Sequence, residues 1–492
     1  MLDSYILSFL IFLPVIFALI IFSGKTDEKQ SFLIGLTSTL LSLVMSVYIV
    51  MTVSGTDSYA FSHISSWWLS GISYAVRVDS LASLLIILTA VIFPLCILSV
   101  KHSKNMPYFV ALLLMLQATI FGVFCAADLV LFYVFFEASL IPMYLMIGKW
   151  GGAGRIAAGF KFFLYTLAGS LLMLVAIIYL YNVVGSTGFD DLLAFHYSFA
   201  QQKWLFLAFF VAFAVKIPMV PFHTWLPIAH VEAPTAGSVV LAAILLKMGG
   251  YGFLRLALPL FPEAAHYFSD AICILSVIAV IYASIVAFAQ QDIKRLIAYS
   301  SVAHMGYVTL GIFTFSAGAL QASIFQMVSH GFVSAGLFFC IGVIYDRYHT
   351  RDINFYGGLA KVMPVYALVL MVFTMANVGL PGTSGFVGEF LTIMYVIQNN
   401  IYYAAVIGVA VILSAGYGLL LYRKTMFGET DMEKFGGAVD LSPREKAIFL
   451  PLIAMTIYFG FKTTDITDFA KPSVDFIAQR LTPQITDASV GQ

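Results

Sequence analysis

The sequence predicts an all-α, polytopic membrane protein, and three observations carry that prediction. Apolar runs of about 20 residues recur from end to end, each long enough to cross a hydrocarbon core of roughly 30 Å as a helix. Of the 492 residues, 61 % are apolar and only 10 % charged, so a soluble chain of this length would need a larger core than single domains build. Lysines and arginines crowd into every second loop, as they do when alternate loops face the cytoplasm.

About 14 spans are expected. The opening stretch MLDSYILSFLIFLPVIFALIIF lacks a basic leader and a small-residue cleavage site, so it reads as span one, 4–22, and not as a removed signal. Spans two to six follow as uninterrupted apolar runs at 32–52, 79–100, 107–126, 128–148 and 159–183. Span seven, 203–231, is overlong and interrupted in AFAVKIPMVPFHTWLP, where Pro218 has no N–H to donate and displaces the preceding turn. Spans eight to eleven are again continuous, at 235–258, 270–290, 296–314 and 318–345. Span twelve, 364–397, is the second overlong one, broken in NVGLPGTSGFVGEF. Spans thirteen and fourteen lie at 403–427 and 446–462, and a polar tail is expected after about residue 463.

If both termini face outward, the inner loops hold Lys25, Lys29, Lys101, Lys104, Lys149, Arg155, Lys161, Lys294, Arg295, Arg347, Arg351, Lys361, Arg423, Lys424, Lys434, Arg444 and Lys446. The outer side keeps Arg77, Lys203, Arg255, Lys462, Lys471 and Arg480. That is seventeen against six, and the remaining two of the 25 basic residues, Lys216 and Lys247, fall within the bilayer.

A shift of about 163 residues lays spans four to eight over spans nine to thirteen and carries the break at Pro218 onto Pro381. Five spans is an odd number, so the second copy must run upside down. Inverted repeats with paired broken helices point to a transport site at mid-membrane depth. The expected division is 1–106 for spans one to three, 107–258 and 270–427 for the two repeats, and 428–492 for a cytoplasmic loop, span fourteen and the tail.

The net charge is zero, which suggests no nucleic-acid partner. Cys96, Cys125, Cys273 and Cys340 show no CxxC spacing and read as small apolar packing residues. No GxGxxG or P-loop follows a strand signal. Neither a cofactor nor a metal is expected in this chain; His223, His230 and Glu232 are metal ligands by residue type, but they straddle a break and a loop.

Against this greasy background six ionisable groups stand inside spans: Glu137, Lys216, Lys247, His304, His330 and Glu389. A charge at the centre of a span costs at least roughly 2.5–3.5 kcal/mol, so such residues usually face the bundle interior and do work. One Glu–Lys pair alone could be static packing, and the two histidines alone could be hydrogen-bonded core residues. Six groups on six spans make a cumulative cost that packing does not explain. Burial favours a neutral amine and a nearby carboxylate favours the ammonium, so moving Glu137 relative to Lys216 would load or release a proton. Freed backbone beside Pro218 would line a wet cavity. Amines and imidazoles carry protons and repel cations, whereas sodium sites gather oxygens, so H⁺ is favoured over Na⁺. Nothing in the chain supplies energy; each charge moved against 100 mV needs about 2.3 kcal/mol, which must come from an exchanged ion or a partner subunit.

Seven ordered blocks, LFYVFFEASLIPMYLMIGKWGG, FKFFLYTLAGSLLML, AFAVKIPMVPFHTWLP, AHVEAPTAGSVVLAAILLKMGGYGFLR, DIKRLIAYSSVAHMGYV, QMVSHGFVSAGLFFC and LPGTSGFVGEF, resemble the chain M family of respiratory NADH-quinone oxidoreductase, complex I, whose mitochondrial counterpart is NADH dehydrogenase subunit 4. The likeness is strong over about residues 75 to 430. It implies one of three antiporter-like proton-pumping subunits of a membrane arm, beside L-type and N-type chains. FMN, iron–sulfur clusters and quinone would then belong to partner subunits, and the membrane would be the bacterial plasma membrane, with the mitochondrial inner membrane as the alternative. By residue match, Glu137 looks like the carboxylate paired with Lys216, Lys247 like the central relay lysine, His304 and His330 like the intervening histidines, and Glu389 like the exit-side group. Glu389 is glutamate where the L and N types carry lysine. Ile228 stands where the family commonly has a polar residue, which removes any role for that position in proton uptake and leaves His223, His230 and Glu232 as candidates. The competing reading is a subunit of a Mrp-type Na⁺/H⁺ antiporter, and a third is a passive spacer of the membrane arm.

Overall fold

The structure, a computed structural model, describes residues 2–24, 26–54, 59–66, 70–100, 105–435, 437 and 439–482. Lys25, Lys101 and Lys104 of the expected inner set lie outside the described residues.

Two helices, α1 (Leu2–Phe22) and α2 (Glu28–Val53), precede an antiparallel hairpin of β1 (Ala60–Ser66) and β2 (Ser73–Val78), in which Ile64 faces Ala75, and then α3 (Ser80–Ser99). The first half contains α4 (Met106–Cys125), α5 (Leu129–Ala138), α6 (Leu140–Trp150), α7 (Arg155–Val184), the short α8 (Phe189–Ala194), α9 (Phe199–Lys216) and α10 (Trp225–Glu232). It closes on a run from α11 (Thr235–Val240) through α12 (Leu246–Gly252) to α13 (Leu258–Leu260), joined by π turns at Leu241–Leu245 and Phe253–Ala257. The second half contains α14 (Pro262–Phe288), α15 (Ile293–Ile312), α16 (Ala317–Tyr348), α17 (Leu359–Val362), α18 (Pro364–Asn377), α19 (Ser384–Asn399) and α20 (Ile401–Met426). The chain then forms α21 (Met432–Phe435), α22 (Pro443–Phe461) and α23 (Thr464–Leu481).

Helix starts are set by short polar side chains that accept from the first free N–H groups. Asp79, Asp128 and Asp292 cap α3, α5 and α15, and Ser198 with Gln201 and Ser442 with Glu445 form reciprocal capping boxes on α9 and α22.

Ten helices among the described residues are long and apolar enough to cross a membrane, or eleven if α22 and α23, bent by 74° at their junction, count as one span. The stretches behind expected spans seven, ten and twelve fall outside the ten because they are broken or carry polar side chains. Lys216 ends α9, the break at 378–383 divides α18 from α19, and α15 holds Tyr299, Ser300, Ser301 and His304. The apolar windows of α16 and of the α11–α13 run are fully buried, and those of α3 and α4 83 % buried, whereas α1 and α2 are one-third buried and face outward. Lys247 and His330 thus sit on the fully buried stretches, whereas Glu137 lies on a span that is 50 % buried.

Two features differ from the sequence reading. The stretch between spans two and three, to which no span was assigned, forms the hairpin β1–β2 within the all-α fold, and the expected polar tail is helical through Leu481. Helix α23 has an apolar face that buries Ile466, Ala470, Val474, Ile477 and Leu481, a helical 3–4 spacing on residues too sparse to read as a span. It is pinned by Ser473 Oγ at 2.7 Å from Ser80 Oγ and by His266 Nε2 at 2.8 Å from the Leu481 carbonyl.

The elements follow in a similar order in the two halves, α4, α5–α6, α7, α9–α10 and the α11–α13 run in the first, and α14, α15, α16, α18–α19 and α20 in the second. Two isolated backbone bridges repeat as well, Asp128 with Gly188 and Asp292 with Asp352. In each, the residue after the aspartate donates to the far strand and receives the reciprocal bond two residues earlier: Leu129 N to Thr187 O at 2.8 Å and Phe189 N to Ala127 O at 3.1 Å, then Ile293 N to Arg351 O at 3.0 Å and Ile353 N to Gln291 O at 2.9 Å. Five of the expected spans separate the two bridges, so the expected inverted repeat would place them on opposite faces.

Candidate functional site

Lys216 ends α9 and is 1 % exposed. Beyond it the chain leaves the helix until Trp225, because Pro218 offers no N–H. The amide that would have closed the turn on Val215, that of Met219, bonds Ala214 O at 2.8 Å instead, and Trp225 Nε1 donates to the vacated Val215 carbonyl at 2.9 Å. An indole thus satisfies the carbonyl that the break strands.

The Lys216 ammonium does not close an ion pair with Glu137. Its Nζ lies 3.5 Å from Ser139 Oγ and 4.7 Å from the centre of the Phe136 ring. Glu137, half-buried on α5, leaves Oε1 without a hydrogen-bond partner, with Ser170 and Lys216 as its polar neighbours. Ser139 is the turn residue between α5 and α6, so the kink itself supplies the lysine's contact. The expected carboxylate and amine are neighbours, held apart.

Lys247 lies on α12 between the two π turns. Such turns loosen the backbone ladder and are frequent at functional sites. Its Nζ donates to Ala242 O, in the first π turn, at 2.6 Å, and lies 2.7 Å from His330 Nδ1 on α16. The His330 and His304 rings are 5.6 Å apart between centroids. His304, on α15, places Nδ1 2.7 Å from Glu389 Oε1 and Nε2 3.1 Å from Asn377 Oδ1. Glu389 belongs to α19 and Asn377 to α18, so the second broken helix holds one imidazole from both of its halves. Ser329 Oγ to Ser384 Oγ at 2.8 Å fixes α16 to the first residue of α19.

Four of the six expected residues therefore form one row, Lys247–His330–His304–Glu389, while Glu137 and Lys216 form a separate pair. Between Lys216 and Lys247 the helices touch backbone to backbone. A Cβ on Gly249 would come 2.7 Å from Ile217 N and 2.8 Å from Phe213 O, so only glycine allows this approach. Among the described residues no side-chain hydrogen bond joins the two lysines.

The residues with ligand-type side chains around the first break do not converge. His223 packs edge-on to Tyr282, with ring centroids 5.4 Å apart, and His230 stacks on Phe338 at 4.4 Å; neither imidazole finds a hydrogen-bond partner. Glu232 accepts from Gly154 N at 2.9 Å and lies 4.0 Å from Arg351. Among the described residues no group of three or more His, Cys, Asp or Glu side chains is placed to hold a metal ion. Arg351 also pairs with Asp292 at 3.2 Å, beside a cavity of about 410 Å³ lined by Gln291, Tyr345 and His349 among others. At the other face, Arg77 clamps Asp190 through two bonds of 2.7 and 2.8 Å, and this bidentate contact holds the Asp190 carboxyl below its ordinary range.

Sequence reasoning missed Ser139, Asn377 and Lys294. Lys294 counts with the inner loop by position, yet it is buried and donates to Ala233 O at 2.7 Å. Asn377 carried one usable signal, an amide at the end of an apolar run directly before a second break motif. Ser139 carried none, since a lone serine in a span is ordinary.

A broken-helix bundle with this interior row defines an antiporter-type membrane subunit, and the family described as NADH:quinone oxidoreductase/Mrp antiporter, TM, matches residues 126–414. NADH-quinone oxidoreductase subunit M of Rhodobacter capsulatus is 49 % identical over 96 % of each chain. NADH-ubiquinone oxidoreductase chain 4 of Marchantia polymorpha is 44 % identical over 92 % of this chain and 93 % of its own. A chain of respiratory complex I from Thermus thermophilus superposes with a TM-score of 0.88 at 32 % identity, covering 96 % of this chain and 99 % of the other. A chain of the Mrp complex from Dietzia shares the fold, with a TM-score of 0.86 at 22 % identity over 98 % of each chain. This chain belongs to the subunit M family of NADH-quinone oxidoreductase.

Proposed function

We propose that this chain translocates protons as a membrane-arm subunit of NADH:quinone oxidoreductase and carries no redox centre itself. Glu137, Lys216, Lys247, His330, His304 and Glu389 form the transfer axis in this reading, divided between the two repeats at 107–258 and 270–427. Quinone reduction takes place elsewhere in the complex, in subunits that bind FMN and iron–sulfur clusters, and the neighbours in the arm include L-type and N-type chains. The membrane is the bacterial inner membrane, or the mitochondrial one in the chain 4 relatives.

The observation that carries the reading is the row of titratable groups at contact distance: 2.7 Å from Lys247 to His330 and 2.7 Å from His304 to Glu389, buried among apolar helices. Static packing has little use for such a row, since burying charge costs several kcal/mol per ion. A proton can move along it between groups whose charged and neutral forms differ by one hydrogen. Lys216→Ala and Glu137→Gln in the intact complex, reconstituted in vesicles, should depress NADH-driven proton uptake, with electron transfer falling alongside. Unchanged uptake in both variants removes the axis. Purification from native membrane tests the assembly: co-purifying flavin and iron–sulfur subunits support it, and a small all-membrane assembly supports a Mrp-type antiporter instead.

A further inference from the structure

We propose that Asn377 is a positioning residue that sets which nitrogen of His304 carries the proton, and so dedicates the other nitrogen to exchange with Glu389. The proposal rests on the proton-transfer reading above and deepens it.

His304 has a polar side chain beside each ring nitrogen: Nε2 is hydrogen-bonded to Asn377 Oδ1 at 3.1 Å, and Nδ1 lies 2.7 Å from Glu389 Oε1 without the alignment of a hydrogen bond. A neutral imidazole has one N–H donor and one lone pair. With the amide oxygen facing it, Nε2 carries the hydrogen, and the lone pair is left on Nδ1, 2.7 Å from the Glu389 oxygen although not aligned with it for a hydrogen bond. The assignment of oxygen and nitrogen in the amide follows from the hydrogen-bond pattern, and a titratable partner at Nδ1 makes it chemically consistent. In the imidazolium state both nitrogens donate, Nε2 to the amide and Nδ1 to the carboxylate. Transfer then breaks the Nδ1–H bond and forms an Oε1–H bond. Imidazolium and carboxylate become neutral imidazole and carboxylic acid; the step needs a tilt that brings Nδ1–H onto Oε1, but no tautomer change.

If Nε2 had no acceptor, half of this preference would vanish. The neutral ring could hold its hydrogen on Nδ1, which would leave no lone pair on that nitrogen to take up the next proton bound for Glu389. Asn377 is well placed to prevent this. It is the last residue of α18, 8 % exposed, and the backbone turns away directly after it through Val378 and Gly379, whose φ of +80° suits glycine. The break therefore fixes the amide at the end of a rigid helix while Glu389 sits on the other half. Because the two contacts come from α18 and α19 separately, a shift of one half against the other changes the tautomer and the transfer distance together.

The test uses the intact complex in vesicles with two substitutions. Asn377→Leu keeps the volume and removes the acceptor; Asn377→Asp keeps an acceptor and adds charge that favours the imidazolium. Asn377→Leu should slow NADH-driven proton uptake roughly three- to tenfold, the size of one lost neutral hydrogen bond. Asn377→Asp should retain uptake and move its pH optimum upward, a response that a purely structural residue does not give. Equal impairment in both variants with no displacement of the pH profile, or wild-type rate and profile in Asn377→Leu, overturns the proposal. Glu389→Gln measured alongside separates the levels. Uptake lost in Glu389→Gln but intact in Asn377→Leu overturns the positioning role and leaves the axis standing; uptake intact in both overturns the axis and the positioning role with it.

Discussion

Replacing Lys247 by methionine and by arginine separates a relay from a spacer. The ammonium makes two close contacts, 2.6 Å to Ala242 O and 2.7 Å to His330 Nδ1. Hydrogen bonds from charged donors contribute about 1.5–3 kcal/mol each, so removing both forfeits roughly 3–6 kcal/mol. Burying the ion in this fully enclosed site costs several kcal/mol in the other direction. The two nearly cancel, and an unbranched apolar chain of similar length fills the space. Lys247→Met should therefore change the thermal stability of the purified complex by no more than about 2 kcal/mol while abolishing coupled proton uptake. Lys247→Arg retains the cation, but a guanidinium does not release its proton in proteins, so charge without titration should fail too. The assay is proton uptake per NADH oxidised in vesicles, with assembly checked by subunit co-purification. A yield unchanged in both variants refutes the relay and favours the passive spacer. Restoration by arginine alone refutes proton carriage and leaves a fixed charge.

Three further outcomes test the frame around the row. Gly249→Ala places a methyl against the Ile217 amide and the Phe213 carbonyl and should destabilise the subunit by about 1–3 kcal/mol, read as a lower melting temperature in detergent. Trp225→Phe strands the Val215 carbonyl and should cost about 1–3 kcal/mol, an effect absent if water takes the indole's place. The Asp190 carboxyl is held low by Arg77, so its contribution is present above the unfolded carboxyl range and is lost as pH falls through the folded value. With its side chain 73 % exposed, that contribution is at most about 1 kcal/mol. Wild type and Asp190→Asn should differ slightly near neutral pH and converge as pH falls below the ordinary carboxyl range; a gap that widens on acidification contradicts the assignment.

Membrane physics made much of this legible in the linear chain. A bilayer permits only internally bonded helices and makes every buried charge conspicuous, so Lys216, Lys247 and Glu389 announced themselves, and Pro218 and Pro381 marked both breaks. What stayed hidden depends on relative position. Whether Glu137 touches Lys216 is set by the kink at Ser139, and serine hydroxyls bond local backbone in many helices without consequence. The pairing of His304 with Asn377 spans 73 residues, and no local pattern encodes such a contact. Helix α23 was obscured because a helix lying across a bundle needs only one apolar face, which averages out in hydropathy.

The two halves hold their charges differently, and in the proton-transfer reading proposed above the difference suggests where a slow step would fall. In the first half the amine turns to a hydroxyl, and its carboxylate keeps an oxygen unpaired. In the second half base and acid are already 2.7 Å apart, although Glu389 Oε1 too lacks an aligned hydrogen bond. In that reading a proton on Lys247 would reach His330 across an existing 2.7 Å contact, and one on His304 would reach Glu389 after a tilt of the ring. Between Lys216 and Lys247, Gly249 brings backbone against backbone, and a proton cannot hop through carbonyl and amide groups that are already bonded. Passage there requires α12 and the end of α9 to separate far enough to admit water, and the π turns on either side of Lys247 are the compliant points. Widening this contact should therefore relieve a restriction, while Gly249→Ala, which wedges it open at a fixed spacing, should alter the coupling of electron transfer to uptake more than it alters the row beyond Lys247.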